Sequence, residues 1–252
     1  MIDIHSHILP GVDDGAQTEE DSLAMAREAV RQGVHTIIAT PHHRNGSFDN
    51  LGDTIIQHVD ILNELFKNLP LTVLPGQEIR MNGDIIDELK QGDALTLANS
   101  KYVFVEFPSQ HVPHYAGQML FDLQVAGYTP IIVHPERNSE LIEHPDRLFE
   151  FVHKGALTQI TSGSVIGKFG KTIQKFTHQL IDANLAHFVA SDAHNTTSRS
   201  FWMHEAYDVI QDKYGEHTKY VFMENSQLLI DDMHVHRDEP FRVKRKKILG
   251  LF

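Results

Sequence analysis

Polar side chains recur at nearly even intervals along this chain, each at the end of a short apolar run. The runs have the length and unbroken hydrophobicity of strands that are buried on both faces. The residues at or just beyond their ends follow one another at intervals of 28 to 36 positions: His7, His42, Glu78, Glu106, His134, Ser162 and Asp192. That interval is the length of one strand–helix unit, so the chain is restricted to a parallel sheet wrapped by helices.

Seven strands and seven intervening helices are predicted. The strands are placed at 2–5, 35–40, 71–75, 102–107, 130–134, 157–161 and 187–191. The helices are placed at 18–32, 51–69, 84–91, 115–126, 145–154, 171–184 and 199–214. The first helix opens on a capping box at Thr18 and stops at Gly33. No linker or repeat divides the 252 residues, so the prediction is one α/β domain over 1–252 with a short basic tail at about 240–252.

Composition excludes several classes of protein. The formal net charge of −12 disfavours non-specific nucleic-acid binding. There is no cysteine, which removes disulfides and thiolate nucleophiles together. The first residues do not form a secretory signal, and no apolar stretch is long enough to cross a bilayer. We therefore expect a cytoplasmic protein without a membrane span.

Two short motifs suggest a metal site. His5 and His7 lie two positions apart on the first strand, so both imidazoles face the same way. Asp192 and His194 repeat this spacing after the seventh strand, which neighbours the first in a barrel of seven. Either motif alone is weak evidence, since paired histidines are often merely hydrogen-bonded. Their meeting in space is the stronger indication.

Further carboxylates and imidazoles belong to the same predicted ring. Glu78 and Glu106 each lie at the end of an apolar strand, and a structural salt bridge explains either one alone equally well. Asp14 lies in the loop after the first strand, and Asp13 is an alternative to it. The nine candidate ligands are His5, His7, Asp14, His42, Glu78, Glu106, His134, Asp192 and His194. A mononuclear site with an open position uses about three protein ligands, so this set implies two or three divalent metals.

Two arginines are predicted to lie over the same end of the barrel. Arg137 and Arg199 follow His134 and His194 by a few positions, and guanidinium groups bind phosphate oxygens in pairs. A solvated surface arginine is the competing explanation for each. Arg44 and Arg80 are weaker candidates, while His111 and His114 are placed near the pocket. His43 is disfavoured as a ligand, because adjacent residues of an extended segment point in opposite directions.

The motifs that carry these residues are MIDIHSHILPGVDDGA, ATPHH, GQEIR, VEFPS, HPER and SDAHN. They resemble the PHP family of metal-dependent phosphoesterases, and more narrowly the tyrosine-protein phosphatases of bacterial capsule and exopolysaccharide operons (CpsB/YwqE type). All nine ligand positions have a matching residue type, as do Arg137 and Arg199. The resemblance implies a distorted (β/α)7, TIM-like barrel of the PHP fold. It also implies up to three metals, usually Mn²⁺, and removal of phosphate from the tyrosines of a partner bacterial tyrosine kinase.

The hypothesis for the reaction is hydrolysis of a phosphate ester assisted by bound cations. A hydroxide held between two cations attacks phosphorus, while a third cation with Arg137 and Arg199 holds the non-bridging oxygens. The departing phenolate is assisted by a metal, by a water on it, or by Asp14, and the sequence does not decide. Mn²⁺ is the expected metal, and Fe, Zn²⁺ and Mg²⁺ are the alternatives that the sequence leaves open.

Three other functions compete with this hypothesis. One is another PHP phosphoesterase, such as a histidinol phosphatase or an exonuclease, the latter disfavoured by the acidic charge. A second is a metal-dependent amidohydrolase, which also uses paired histidines in a barrel. The third is a metal-loaded interaction protein without catalysis. The sequence also leaves open self-association into a homo-oligomer and docking through the basic tail.

Overall fold

The structure, a computed structural model, describes residues 1–244. The predicted basic tail at about 240–252 therefore lies mostly outside the described residues. No helix in the described part of the chain is long and apolar enough to span a bilayer.

Parallel strands form the centre of the molecule, and the seven predicted strands are all present. Two short strands extend the second and third of them. The strands of the described chain are β1 (Ile2–Ser6), β2 (Thr36–Ala39), β3 (His42–His43), β4 (Thr72–Pro75), β5 (Glu78–Arg80), β6 (Tyr102–Glu106), β7 (Thr129–Val133), β8 (Leu157–Thr161) and β9 (Phe188–Ala190).

The strands follow one another in chain order around a distorted ring. One sheet has the order β1-β2-β4 and the other β3-β5-β6-β7-β8-β9. Since β3 continues β2 and β5 continues β4, the two sheets share these two extended strands and form one continuous wall. The ring is brought together by backbone hydrogen bonds from His7 to Ala193 (2.8 Å) and from Asp192 to His5 (2.9 Å). The predicted α/β fold with a distorted barrel is thereby confirmed.

Helices cover the outside of this ring. Those in residues 1–244 are α1 (Glu19–Arg31), α2 (Gly52–Leu65), α3 (Ile85–Gln91), α4 (Ala116–Val125), α5 (Ser139–Glu143), α6 (Pro145–His153), α7 (Ser162–Val165), α8 (Lys171–Asp182), α9 (Met203–Tyr214) and α10 (Glu216–Ile230). The capping box of α1 forms as predicted, with the Thr18 hydroxyl accepting from the Asp21 N–H at 3.1 Å.

Three helices were missed from the sequence. Helices α5 and α7 are only five and four residues long, too short to show a period. Helix α10 is long, but its buried face contains Phe222, Asn225, Ser226 and Leu229, of which two are polar. Its sequence therefore lacks the continuous apolar stripe from which amphipathic helices are predicted.

The apolar core has two layers. The larger lies between the strands and the outer helices. The smaller fills the ring and includes Phe104, Ile131 and Phe188, with Leu229 of α10 and Val235 packed against it at the amino ends of the strands. One end of the ring is thus filled with apolar side chains, and the polar residues gather at the other. That the whole chain is one domain stays a prediction.

Candidate metal centre

The candidate ligands lie at the carboxyl ends of the strands, where the spacing of strands along the chain places them. Along β6, Glu106 continues the inward line of Tyr102 and Phe104, because side chains of a strand alternate between its faces. His134 and Asp192 follow β7 and β9 with φ of +33° and +52°. A non-glycine residue in this left-handed region is strained, and such strain is often found at functional sites.

Four fully buried or nearly buried side chains form the middle of the cluster. His5 Nε2 lies 3.4 Å from Glu78 Oε2 and 3.5 Å from Asp192 Oδ1. His7 Nε2 lies 3.3 Å from each of the same two oxygens. These four atoms lie within 4.8 Å of one another, as ligands of one cation would.

Two further groups overlap with the first. Asp14 Oδ1 is 3.4 Å from His42 Nε2 and 3.3 Å from His194 Nε2, and His7, which this group shares with the first, is its fourth member. On its other side, His42 Nδ1 is 3.0 Å from Glu78 Oε2 and 3.8 Å from Glu106 Oε2. The imidazole of His42 therefore stands between two groups.

His134 belongs to none of these three groups, although it touches the cluster. Its Nε2 is 2.7 Å from Glu78 Oε1, so Glu78 contacts imidazoles through both of its oxygens. Glu106 is held by Arg80, which donates to both carboxylate oxygens at 2.9 and 3.0 Å. Arg80, a weak phosphate candidate from the sequence, thus positions a predicted ligand in the structure.

Hydrogen bonds orient three of the imidazoles. Gln159 donates its amide N–H to the Ile160 carbonyl (2.9 Å), so its Oε1 accepts from His5 Nδ1 at 2.9 Å. His7 Nδ1 donates to Asp13 Oδ2 at 2.6 Å, and His194 Nδ1 lies 3.0 Å from the Asp192 carbonyl. With Nδ1 protonated, the lone pair is on Nε2, which faces the cluster. This is the usual arrangement around histidines that bind metals.

The chemistry of the unpaired atoms fits divalent cations. Ten buried side-chain atoms in residues 1–244 have no hydrogen-bond partner, and six of them belong to the predicted ligand set. The six are His5 Nε2, His7 Nε2, His42 Nδ1, Glu78 Oε2, Asp192 Oδ1 and His194 Nε2. Buried polar atoms are almost always satisfied, because each unpaired atom costs about 1–3 kcal/mol. Cations in the three groups would satisfy these atoms together.

The charges of the cluster act strongly on one another. Burial raises the pKa of Glu106 to about 7, and the nearby charge of Glu78 adds to the rise. Burial opposes the ionisation of Asp192, but Arg137 and Arg199 hold its pKa well below the usual range. Burial lowers the pKa of His42, yet the charge of Glu78 and the hydrogen bond to Asp14 outweigh it and raise that pKa to about 10. Bound cations would replace these shared protons.

Both predicted arginines lie beside the cluster. Arg137 and Arg199 donate to the same oxygen of Asp192, Arg199 at 2.9 Å. Arg199 also lies 3.6 Å from Asp14 Oδ2. Arg44 instead pairs with Glu88 and Asp49.

The roles of several residues near the cluster were not predicted from the sequence. Gln159 was missed, although an amide in the middle of the apolar strand β8 is a visible signal. Asp13 is predicted as an alternative ligand to Asp14, and in the structure it is the hydrogen-bond partner of His7. Gly15 passes so close to His7 that an added Cβ would lie 2.1 Å from the His7 carbonyl oxygen.

The remaining histidine candidates lie apart from the cluster. The ring of His43 is buried and faces Asp49 (3.2 Å) and Glu88 (3.7 Å) instead. His111 and His114, which were placed near the pocket, are exposed.

A ring of parallel strands with overlapping histidine–carboxylate groups at its carboxyl ends defines a barrel protein with a candidate multinuclear metal centre. Residues 1–231 match the family described as capsular polysaccharide synthesis, CpsB/CapC. The chain belongs to the CpsB/CapC family, and the resemblance seen in its motifs is confirmed.

Relatives of known name match over the full chain. The chain is 49% identical to the tyrosine-protein phosphatase YwqE of Bacillus subtilis over 100% of both sequences. It is 38% identical to the putative tyrosine-protein phosphatase CapC of Staphylococcus aureus, again over 100% of both. It is 35% identical to the tyrosine-protein phosphatase CpsB of Streptococcus agalactiae, over 93% of this chain and 100% of that one.

Solved structures match at two levels. A structure from work on YwqE of Bacillus subtilis and CpsB of Streptococcus pneumoniae, described as metal-dependent tyrosine phosphatases, is 49% identical with a TM-score of 0.95. The match covers 97% of this chain and 100% of the other. An organophosphorus hydrolase variant from Deinococcus radiodurans has a TM-score of 0.55 at 15% identity, over 91% of both chains, and shows the fold alone.

Proposed function

We propose that this chain is a metal-dependent protein-tyrosine phosphatase, a phosphoric monoester hydrolase that acts in the cytoplasm. The observation that carries the proposal is the meeting of His5, His7, Glu78 and Asp192, whose unpaired buried atoms face one centre. Its membership of the CpsB/CapC family supports the same activity, since relatives of that family are named tyrosine-protein phosphatases.

Two or three cations are proposed. The first would be held by His5, His7, Glu78 and Asp192, and a second by Asp14, His42 and His194, with His7 close enough to share. A third would be held by Glu78 and Glu106, with His42 or His134 as its imidazole ligand. Mixed imidazole and carboxylate ligands suit Mn²⁺, which we propose as the metal, and also Fe, Zn²⁺ and, less well, Mg²⁺.

The chain's own residues bind and orient the phosphate ester. Divalent cations supply a lowered pKa for bound water and stabilisation of negative charge on phosphoryl oxygens. Arg137 and Arg199 each have further N–H donors beyond the one used on Asp192, and these would bind non-bridging oxygens. The imidazoles of His194 and His42, whose Nε2 atoms lie 3.3 and 3.4 Å from Asp14 Oδ1, hold the pKa of Asp14 below its usual range, which suits a ligand better than a proton donor.

The proposed substrate is phosphotyrosine on a cognate bacterial tyrosine kinase that regulates capsular or exopolysaccharide synthesis. The family description supports the link to capsular polysaccharide. The absence of cysteine agrees with hydrolysis by a route that does not use a thiolate.

Phosphate release from a phosphotyrosine peptide tests the proposal. The full chain is stripped with a chelator and then supplied with Mn²⁺, Zn²⁺, Mg²⁺ or Fe²⁺ in turn. We expect release to stop after chelation and to return with Mn²⁺. Release that is unaffected by chelation, or that no metal restores, would overturn the proposal. Faster turnover of histidinol phosphate than of the peptide would favour the rival phosphoesterase.

A further inference from the structure

We propose that Phe169 and Trp202, here called the aromatic shelf, bind the ring of the substrate and give the site a preference for aryl over alkyl phosphate esters. The inference rests on the proposed function and names the part of the molecule that would recognise the tyrosine side chain.

The two rings form an edge-to-face pair at the carboxyl end of the barrel. Their centroids are 6.3 Å apart with an interplanar angle of 74°. Phe169 follows α7, and Trp202 directly precedes α9, so two separate loops bring the rings together. Both side chains are only partly buried, which leaves ring surface available to a ligand. Aromatic rings prefer such edge-to-face or offset contacts with one another.

Arg137 connects the shelf with the candidate metal centre. Its guanidinium carbon lies 5.4 Å from the centroid of the Phe169 ring, and the same guanidinium donates to Asp192. A phosphate bound beside Arg137 therefore has its ester group within reach of the shelf. Trp202 lies three residues after Arg199, the second arginine of the site.

Gly163 makes room for the rings. A Cβ added there would lie 2.8 Å from Phe169, closer than real Cβ contacts, and 3.0 Å from Trp202, which is tighter than most of them. Gly163 is not among the glycines of positive φ, so the backbone does not require glycine at this position. It follows β8, whose end supplies none of the nine candidate ligands. Next to β8, the end of the barrel therefore holds the aromatic side chains of Phe169 and Trp202 in place of metal ligands.

Another aromatic residue near the cluster is less suited to this role. The ring of Phe48 lies nearly parallel to the imidazole of His42, at 9° and 6.2 Å, so one of its faces is already used. On the shelf, the ammonium of the exposed Lys168 lies 5.3 Å from the Trp202 ring, and this flexible side chain can move aside.

Binding of phosphonates that cannot be hydrolysed tests the shelf separately from catalysis. Phenylphosphonate and methylphosphonate are titrated into the Mn²⁺-loaded full chain by calorimetry. Trp202 is the only tryptophan, so its fluorescence reports directly on the shelf. We expect phenylphosphonate to bind more tightly than methylphosphonate and to change this fluorescence.

Substitutions then assign the preference to particular rings. Phe169→Leu and Trp202→Leu should each reduce the phenyl-to-methyl affinity ratio by about two- to twelvefold, the value of one aromatic pair. Gly163→Ala should reduce the ratio in the same direction, because the added methyl displaces both rings. Phe121→Leu on α4, where the ring is 58% exposed, is the matched control and should leave the ratio unchanged.

The outcomes separate the shelf from the proposed function. An unchanged ratio in both ring variants, a silent Trp202 fluorescence, or a loss of preference only in Phe48→Leu would overturn the shelf while phosphate release continues. Absence of phosphate release with every metal would overturn the function, whereas the phosphonate ratio would still test the shelf. If Trp202→Leu does not fold, Phe169→Leu and the fluorescence of the unaltered chain decide.

Discussion

The two ends of the barrel both bury histidines, but they treat them differently. At the amino end, His187 accepts from the Thr158 N–H at 3.2 Å, and its carbonyl accepts from the Asn225 amide at 3.0 Å. Burial and the charge of Arg237 lower the pKa of His187 to about 3, so the ring is neutral. At the carboxyl end, His5 and His7 are equally buried, yet each has one nitrogen without a hydrogen-bond partner.

This difference shows which observation points to chemistry. Burial of an imidazole is compatible with a purely structural role when its polar atoms are satisfied. A buried nitrogen that faces other unpaired ligand atoms across a small gap has no structural explanation. The arrangement of unpaired atoms therefore carries more weight than the number of histidines.

Cavity size would place the functional site at the amino end of the barrel, in contrast to the unpaired ligand atoms, and it is the weaker guide. A cavity of about 440 Å³ lies at the amino end beside His187 and Asn225. The cavity beside Glu106, His134 and Arg137 measures only about 70 Å³. Ligand side chains that converge on shared cations leave little free space, so the smaller cavity adjoins the candidate centre.

The largest effect is expected at Glu78, where imidazoles meet from several strands. Glu78→Gln removes the charge that lies 3.3–3.4 Å from His5 and His7 and 2.7 Å from His134. Turnover should fall at least about a thousandfold, because metal stabilisation of the transition state is worth several kcal/mol. Phosphate release and metal content measure the loss.

Glu88→Gln provides the control for Glu78. Glu88 is also buried and also lies beside a histidine, His43, but it pairs with Arg44 and lies outside the cluster. The Glu88→Gln variant should have a lower free energy of unfolding but an unchanged turnover. Normal turnover in Glu78→Gln would contradict the difference drawn between the two regions.

A smaller effect is expected at Gln159, which orients His5. Gln159→Leu removes the acceptor of His5 Nδ1 while keeping a side chain of similar size. Metal affinity should fall about 10- to 100-fold, the usual effect of removing such a partner, and excess metal should restore turnover. A metal titration followed by activity measures both. Gln118→Leu on the exposed face of α4 is the control, and an identical titration midpoint for both variants would remove Gln159 from the site.

The smallest effect is expected at the amino end, and it should concern stability alone. Asn225 donates to the carbonyls of His187 and His236 and accepts from the His236 N–H at 2.8 Å. Asn225→Ala should lower the free energy of unfolding by about 2 kcal/mol, because buried backbone groups lose their partners. Chemical denaturation measures this, with Gln227→Ala on the exposed face of α10 as control. A loss of turnover in the folded Asn225 variant would show that the two ends are coupled.

Much of the fold was predictable because its signals are local. Each apolar run of strand length, the capping box at Thr18 and the stop at Gly33 can be recognised from a few neighbouring residues. The even spacing of polar residues after the strands is equally visible, and parallel strands bring their carboxyl ends to one side. Helix α10 escaped because its buried face includes Asn225 and Ser226, which only their tertiary partners explain.

The primary structure alone established which residue types follow each strand and that they meet at one end of a barrel. The folded chain decided the rest: that Arg80 holds Glu106, that Gln159 fixes His5, and that Phe169 meets Trp202. The physical reason is the range of each interaction. Hydrophobic periodicity acts between neighbours along the chain, whereas the direction of a side chain at a strand end is set by hydrogen bonds and packing with segments far away in sequence.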